Sequence, residues 1–228
     1  LWTDVVAEID AMTEEVGGFQ AQMKKLPRAL RELDAYEELR KTVDDFLETL
    51  PLLQMLANEA MRPRHWIDIQ TECKVEYNMD PATFKLADLM EADFVKYAEE
   101  VEDIAASSVK ELQIEVNLAK IIEQWEDLNF EFANYKNRGP VLLQGVPDIM
   151  ESMEETQMQL GSMMSSRYVV PFQEPVSDWV SKMGTGAEII EEWVIVQNMW
   201  TYMEAVFSSG DIAKQLPKEA KRFSDIDK

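Results

Sequence analysis

The chain has 228 residues, of which 46% are hydrophobic and 29% charged, and this composition fits one or two packed cores rather than a disordered segment. Forty-four acidic against 22 basic residues give a net charge of −22 at pH 7, which argues against nucleic acid and anionic membrane surfaces as partners and favours proteins with basic patches. The single cysteine, Cys73, excludes an internal disulfide framework and favours a reducing compartment, and no run approaches the roughly 18 apolar residues that cross a bilayer.

Two helices are predicted in the first 50 residues. Apolar residues alternate at steps of three and four over residues 2–26, with the weak helix formers Gly17-Gly18 inside the run. A second helix is predicted over residues 28–49, with Pro27 at its start and Pro51 past its end, where a shorter helix opens. We expect the two long helices to pack together as a hairpin.

The region around residue 75 is predicted to divide the chain. Pro63 should interrupt the short third helix and kink it. Residues 74–81 are polar and end in Asp80-Pro81, and proline disfavours helical geometry in the residue before it, so a loop is predicted there. We therefore expect one helical part over residues 1–79 and a second over residues 80–228.

A helical pattern returns over residues 86–127, with a break predicted near residues 105–108. Its later part carries apolar residues on two faces, which is typical of a helix sandwiched between neighbours rather than one lying on a surface. One face has Ile114, Leu118, Ile121, Trp125 and Leu128, and the other has Val109, Leu112, Val116 and Ala119.

Residues 128–143 are predicted to form a β-hairpin. Leu128, Phe130 and Phe132 alternate with polar or small residues, and residues 137–140 supply turn formers before a second apolar run. Because an isolated hairpin is marginal in water, the face with the two phenylalanines should rest on a helix or on a partner. The tip residues Asn137 and Arg138 are the candidate partner contacts of this chain, and a purely structural turn is the alternative.

Another helix is predicted to begin near residue 148. Asp148 and Glu151 have the spacing of a capping box, and an apolar face follows them. That face consists of Ile149, Met153, Leu160 and Met163. The methionines between residues 150 and 164 fall on more than one helical face, so some of them should reach a surface.

The helix over residues 186–207 is predicted to be buried along one face and to organise the second part of the chain. Its large apolar residues recur at steps of three and four, which favours core packing over a cofactor site. They are Ile189, Trp193, Val196, Trp200, Met203 and Phe207. Thr185 and Glu188 have capping-box spacing, residues 184–186 are predicted to be a turn after the preceding helix, and Gly210 suits a C-terminal cap. One or two more helical turns should follow from residue 215.

No catalytic, cofactor or metal site is predicted. A P-loop needs a glycine followed by lysine in a glycine-rich turn, and no glycine in this chain precedes a lysine. The only histidine, His65, has no cysteine or second histidine at a ligand spacing, so a packed structural role is favoured over metal binding or acid–base chemistry. Paired acids such as Asp44-Asp45 point to different sides of a helix, and most carboxylates are interpreted as solvated.

Several stretches have distinctive amino-acid sequences. They are NEAMRPRHW (58–66), SSRYVVPF (165–172), EIIEEWVIVQNMWTYMEAVF (188–207) and GDIAKQLPKEAKRFSDIDK (210–228). They closely resemble the N-terminal part of the linker region of dynein heavy chains, and the last one resembles axonemal outer-arm heavy chains of the gamma type. The chain begins without Met, so we expect it to be a piece of a longer protein.

The resemblance implies a fold and a function. The linker of dynein is a mainly α-helical, elongated rod, and the periodicities above independently predict a rod or bundle of antiparallel helices with one small β-hairpin. The family implies a mechanical lever that couples the ATPase cycle of an AAA+ ring to movement in ciliary or flagellar beating. The chain itself would then be no enzyme and would hold no cofactor, because ATP and magnesium belong by the same resemblance to the ring of the parent motor.

The resemblance also implies partners and a location. The partners would be the AAA+ ring of the same heavy chain and other dynein subunits reached through the parent tail, with no nucleic acid and no membrane. The location would be cytoplasmic and cytoskeletal, in a ciliary or flagellar axoneme. The alternative is a passive acidic helical scaffold or tether that binds protein partners.

Overall fold

The computed structural model describes residues 2–74, 85–91, 94–136, 141–208 and 210–227. These residues are mainly α-helical, as predicted, and the described part of the chain contains one two-stranded sheet. Contacts group the chain into two compact units, Leu1–Gln113 and Ile114–Lys228. The predicted boundary between residues 79 and 80, and most of the predicted loop, lie outside the described residues, so that boundary stays a prediction.

The first unit consists of helices and one 3₁₀ turn. In chain order they are α1 (Trp2–Met23), α2 (Arg28–Arg31), α3 (Asp34–Leu56), α4 (Pro63–Cys73), α5 (Leu86–Glu91), a 3₁₀ turn (Phe94–Tyr97) and the beginning of α6 (Ala98–Glu126). The buried core of this unit is built by Ile9, Leu50, Leu52, Leu53, Leu56, Ile69, Cys73, Phe94 and Val101.

Helices α1 and α3 form the predicted hairpin. The side-chain amide of Gln20 donates to Asp44 at 3.0 Å, and that of Gln54 donates to Asp10 at 3.1 Å. Residue numbers that rise along α1 therefore pair with numbers that fall along α3, which makes the two helices antiparallel. The apolar seam predicted from steps of three and four lies between them, with Ile9 buried against α3.

Two prolines have different roles from those predicted. Pro51 lies inside α3 instead of past its end, although it removes one backbone donor from the helical ladder. Leu50, Leu52 and Leu53 around it are all buried, and this burial offsets the loss of one hydrogen bond. Pro63 begins α4 at a position where the missing N–H costs nothing, so the predicted kink is a helix start.

The break predicted near residues 105–108 is also wrong. Helix α6 runs through these residues, and the break comes before it, where the 3₁₀ turn precedes Ala98. The hydroxyl of Ser108 is buried and donates to the carbonyl of Ala105 at 2.7 Å, so the serine is satisfied inside the helix. Of the two predicted faces, the one with Ile114 and Ile121 is buried, whereas Val109 and Val116 on the other are exposed.

The second unit contains the end of α6, the hairpin and the remaining helices. They are β1 (Glu131–Asn134), β2 (Val141–Gln144), α7 (Val146–Met164), a 3₁₀ helix (Arg167–Phe172), α8 (Gln173–Ser208), α9 (Asp211–Gln215) and α10 (Pro217–Ile226). The strands are antiparallel, and Phe132 pairs with Leu143. This confirms the hairpin predicted over residues 128–143. The buried core of the second unit consists of Ile114, Leu118, Ile121, Leu143, Ile149, Met153, Leu160, Met163, Val169, Val176, Met183 and Ile190.

Helix α7 buries the predicted face but starts differently. The helix begins at Val146, after Gly145 in the left-handed conformation with a φ of 67°, and Pro147 occupies its first turn. The predicted capping box at Asp148 is therefore wrong, because this residue already lies inside the helix. The indole of Trp125 on α6 donates to the buried hydroxyl of Thr156 at 3.0 Å, which links α6 to α7.

Helix α8 has 36 residues and is uninterrupted, so the predicted turn at residues 184–186 is wrong. At about 1.5 Å per residue it is roughly 54 Å long. A Cβ placed on Gly186 would lie 2.8 Å from the terminal methyl of Met153 on α7. The glycine therefore permits close approach of two helices and does not form a turn. The last helix, α10, has ten residues, more than the one or two turns predicted.

Candidate interaction surface

The buried face of α8 is not the face predicted from its apolar residues. Its best-buried side chains are Val176, Met183, Ile190 and Glu204, which fall at multiples of seven residues, with the half-buried Gln197 completing the series. The predicted stripe from Ile189 to Phe207 lies beside this face. Trp193 is 42% exposed and Trp200 is half-buried, so the prediction of two largely buried tryptophans is wrong.

The hairpin covers part of the exposed stripe. The rings of Phe130 and Phe132 lie 6.5 and 6.1 Å from that of Trp193, centroid to centroid. Tyr135 meets Trp200 edge to face at 5.2 Å. These spacings are within the range at which aromatic pairs attract each other. The prediction that the phenylalanine face rests on a helix is confirmed, and the helix is α8.

Gln197 fixes the register of β2 against α8. Its side-chain oxygen accepts from the N–H of Leu143 at 2.7 Å, and its side-chain nitrogen donates to the carbonyl of Leu143 at 3.1 Å. The amide thus pairs with a strand residue as a neighbouring strand would. A strand edge with unpaired backbone groups invites association with other chains, and Gln197 satisfies this part of the edge.

Glu204 anchors the hairpin at the two residues that directly follow β1. Its carboxylate is almost completely buried and accepts from the hydroxyl of Tyr135 at 2.9 Å and from the ammonium of Lys136 at 2.8 Å. The hydrogen bond to Glu204 raises the pKa of Lys136, with a further contribution from Tyr135. A buried carboxylate is costly unless it is paired, so this cluster depends on the hairpin staying in place.

A groove lies between α8 and α10 beyond the hairpin. Its volume is about 380 Å³, and its lining is apolar apart from Glu219 and Arg222. Phe207 stacks on Phe223 at 5.7 Å, and the indole of Trp200 donates to Asp227 at 3.1 Å, so α10 is held against α8. The apolar lining residues are Val196, Met199, Trp200, Met203, Phe223 and Ile226. The groove is open to solvent.

The predicted contact residues Asn137 and Arg138 lie outside the described residues, and their role stays a prediction. The preceding residue, Lys136, is bound to Glu204. Neither Glu204 nor Gln197 was predicted as a contact residue. A signal was present in the sequence, because the spacing of seven residues set by Val176, Met183 and Ile190 continues to both polar positions.

His65 is a structural residue, as predicted. It is buried in the first unit, where its Nδ1 accepts from the N–H of Arg62 at 3.0 Å. Its Nε2 must then carry the hydrogen and lies 2.9 Å from the carboxylate of Glu111, which also binds Arg64 at 2.6 Å. The ring is therefore held on both nitrogens and fixes the start of α4.

The described residues contain no group of three or more histidine, cysteine, aspartate or glutamate side chains placed to hold a metal. Cys73 is buried in the first core, and burial raises the pKa of its thiol to about 11, with smaller contributions from Glu100 and Glu72. A thiol that stays protonated near neutral pH is a poor nucleophile. In the part of the chain that the structure describes, no helix is long and apolar enough to cross a membrane.

Comparison with known proteins adds the family. The model of the family "Dynein heavy chain, N-terminal region 2" matches residues 1–228. The gamma chain of the flagellar outer-arm dynein of Chlamydomonas reinhardtii is 50% identical over 229 residues. Dynein axonemal heavy chain 8 of Mus musculus is 46% identical over 230 residues. Both matches cover 100% of this chain and 5% of the relative, so the chain spans about one twentieth of the length of these proteins.

Proposed function

The chain belongs to the dynein heavy chain family, in its N-terminal region 2, and from this premise we propose that it is part of the mechanical linker of an axonemal dynein motor. In this role it couples the ATPase cycle of the AAA+ ring of the same heavy chain to the movement of a cilium or flagellum. The observation that carries the proposal is the family match over residues 1–228.

The structure of the second unit supports a mechanical role. A lever must resist bending, and α8 gains stiffness from the close contact of Gly186 with α7 and from the hairpin bound along its later half. The hairpin is attached through hydrogen bonds at both Gln197 and Glu204. Aromatic contacts of Phe132 with Trp193 and of Tyr135 with Trp200 add to these two attachments.

We further propose that the chain neither binds nor hydrolyses ATP by itself and that it acts in the axoneme. The sequence has no P-loop. A triphosphate binds a protein when clustered backbone amides and a positioned lysine replace its water shell, and this motif is missing here. The named relatives are flagellar and axonemal heavy chains, which supports the location. The partners in this proposal are the AAA+ ring and the other subunits of the dynein complex.

Motility of the full-length heavy chain tests the proposal. A heavy chain that lacks residues 1–228 should lose microtubule gliding while its ring retains at least part of its ATP hydrolysis. Undiminished gliding speed and force would contradict the lever role and would favour the alternative of a passive acidic scaffold. A titration of the 228-residue chain with a labelled ATP analogue should show no binding.

A sharper variant changes the stiffness of α8 and leaves its contacts in place. Glu191 and Glu192 are exposed in the middle of the helix. Replacing both by glycine lowers helix stability by about 1 kcal/mol per site relative to replacing both by alanine. The glycine pair should slow gliding at an unchanged ATPase rate, and the alanine pair is the matched control. Equal gliding speeds in the two variants would contradict transmission of force through α8.

A further inference from the structure

The end of the α1–α3 hairpin that contains α2 lies outside the core of the first unit. None of the described residues from 17 to 45 belongs to that core. The side chains buried within this stretch are Met23 on α1 and Val43 on α3. This end of the hairpin therefore leaves most of its apolar side chains in contact with water.

An apolar groove opens between α1 and α3 at this end, and we call it the α1–α3 groove. Its volume is about 370 Å³, and Phe19 on one wall and Leu39 on the other are 47% and 51% exposed. The lining residues are Phe19, Gln22, Met23, Leu26, Leu39 and Val43. Single exposed apolar residues are ordinary on protein surfaces, whereas an apolar set in a concave site marks a binding surface.

The same end of the hairpin is basic, although the chain as a whole is strongly acidic. Residues 19–43 carry six basic against four acidic side chains, whereas the whole chain carries 22 against 44. The six basic residues are Lys24, Lys25, Arg28, Arg31, Arg40 and Lys41. A local excess of positive charge attracts an acidic segment, while the acidic remainder of the surface repels it.

Arg31 places one of these charges at the rim of the groove. Its Nε donates to the carbonyl of the lining residue Leu26 at 2.7 Å. The guanidinium is exposed, and no carboxylate among the described residues pairs with it, whereas Arg28 and Arg40 pair with nearby glutamates. A guanidinium has five N–H donors, so those that remain on Arg31 can bind a carboxylate through two parallel hydrogen bonds.

We propose that the α1–α3 groove is the docking site for a segment of another protein, which inserts apolar side chains between the two helices and places a carboxylate on Arg31. The inference concerns a surface of the first unit and does not depend on the lever role.

The composition of the surface favours a separate protein over other occupants. Charged residues are almost never fully buried in the core of one chain, whereas interfaces between separately folded proteins keep a polar rim and are enriched in arginine. The exposed side chains of Arg31 and Lys25 beside Leu26 fit such a rim. A second copy of this chain would bring a net charge of −22 towards another −22, which opposes self-association.

Binding of a designed peptide to the full-length heavy chain, purified without other subunits, tests the chemistry of the occupant. The probe is a fluorescein-labelled helical peptide with leucines at steps of three and four on one face and glutamates at the flanking positions. The matched control peptide has lysine in place of every glutamate. We expect the glutamate peptide to bind about tenfold more tightly and to lose affinity as salt rises. Equal affinities of the two peptides would contradict an acidic occupant.

Two pairs of substitutions locate the binding of the glutamate peptide. Arg31→Glu should weaken it about tenfold, while Lys221→Glu makes the same change of charge on α10 and should have no effect. Leu39→Glu should also weaken it, while Ile67→Glu on α4, outside the groove, should not. All four side chains are exposed, so the variants should keep their helical circular dichroism. Equal effects of a variant and its control would overturn the site.

A photo-crosslink identifies the source of the occupant. Leu39→p-benzoylphenylalanine in the full-length heavy chain, assembled into its dynein complex and irradiated, should crosslink to a segment of another protein that is rich in acidic and apolar residues. A crosslink to the heavy chain itself would assign the groove to an intrachain neighbour or to a second copy. That result, a crosslink to a basic segment or the absence of any crosslink would overturn the proposal, and none of them decides whether the chain acts as a lever.

Discussion

Ile189 and Ile190 are neighbours on α8, yet Ile190 is 3% exposed and Ile189 is 58% exposed. The face of Ile190 packs on α7 through Val176 and Met183, and farther along it turns polar at Gln197 and Glu204, where the hairpin replaces α7 as the neighbour. The face of Ile189 carries more aromatic and aliphatic area, and much of it is open to solvent.

This contrast shows that burial follows the available neighbours, not the amount of apolar surface on a face. Helix α7 offers Met153 and Leu160 to the side of α8 that Gly186 leaves open for close approach. Towards the C-terminal end of α8, the hairpin places backbone groups and a lysine against the helix, and these groups require polar partners. The exposed stripe is then left for the hairpin aromatics and for the groove beside α10.

The largest expected effect separates the two faces directly. Ile190→Ala should lower the free energy of unfolding by about 2 to 5 kcal/mol, because it removes buried methyl groups and leaves a cavity. Ile189→Ala should cost less than about 1 kcal/mol, because most of that side chain is already in water. Urea unfolding of both variants measures the difference, and equal losses would show that the two faces are not distinct.

A polar position on the buried face gives the next largest effect. Glu204→Ala should cost about 1 to 3 kcal/mol, because it removes the partner of both Tyr135 and Lys136. Glu192→Ala, at an exposed position on the same helix, should change stability by no more than about 0.5 kcal/mol and serves as the control. Urea unfolding, together with hydrogen exchange of the β1 amides, reports the loss. Unchanged exchange in the Glu204 variant would contradict an anchoring role.

The same contact has a pH dependence with a defined sign. Because Glu204 raises the pKa of Lys136 above its ordinary value of 10.5, the folded state favours the charged ammonium. The stabilisation is complete below pH 10.5 and is lost as the pH rises through the higher pKa of the folded state. Stability measured across this window should fall less steeply in Glu204→Ala, since the variant lacks the acceptor.

The smallest expected effect concerns the two glycines in the middle of α8. Gly184→Ala should stabilise the helix by about 0.5 to 1 kcal/mol, because a Cβ there meets nothing within 4 Å and alanine is the better helix former. Gly186→Ala should gain less, because its Cβ would displace the terminal methyl of Met153. Thermal unfolding compares the two, and an equal gain would show that the approach of α7 is not tight.

Two pairings between neighbouring elements were predictable from the sequence. The hairpin follows from alternation in Phe130 and Phe132, and its antiparallel strand pairing came out as predicted. The α1–α3 pair follows from two long apolar seams joined by a short connection. The seven-residue spacing of the buried face reaches Gln197 and Glu204, but their partners were not predictable, because each gains its role from hairpin residues 54 to 69 positions away.

The class of structure, the positions of most helices, the hairpin and the family followed from the sequence alone, because helical periodicity, strand periodicity and characteristic motifs are properties of short stretches. Long-range packing set which face of α8 is buried, kept α8 continuous through Gly184 and Gly186, and kept Pro51 inside α3. In each case a local preference was outweighed by packing, since a glycine or proline costs a few kcal/mol at most and a buried neighbouring helix contributes more.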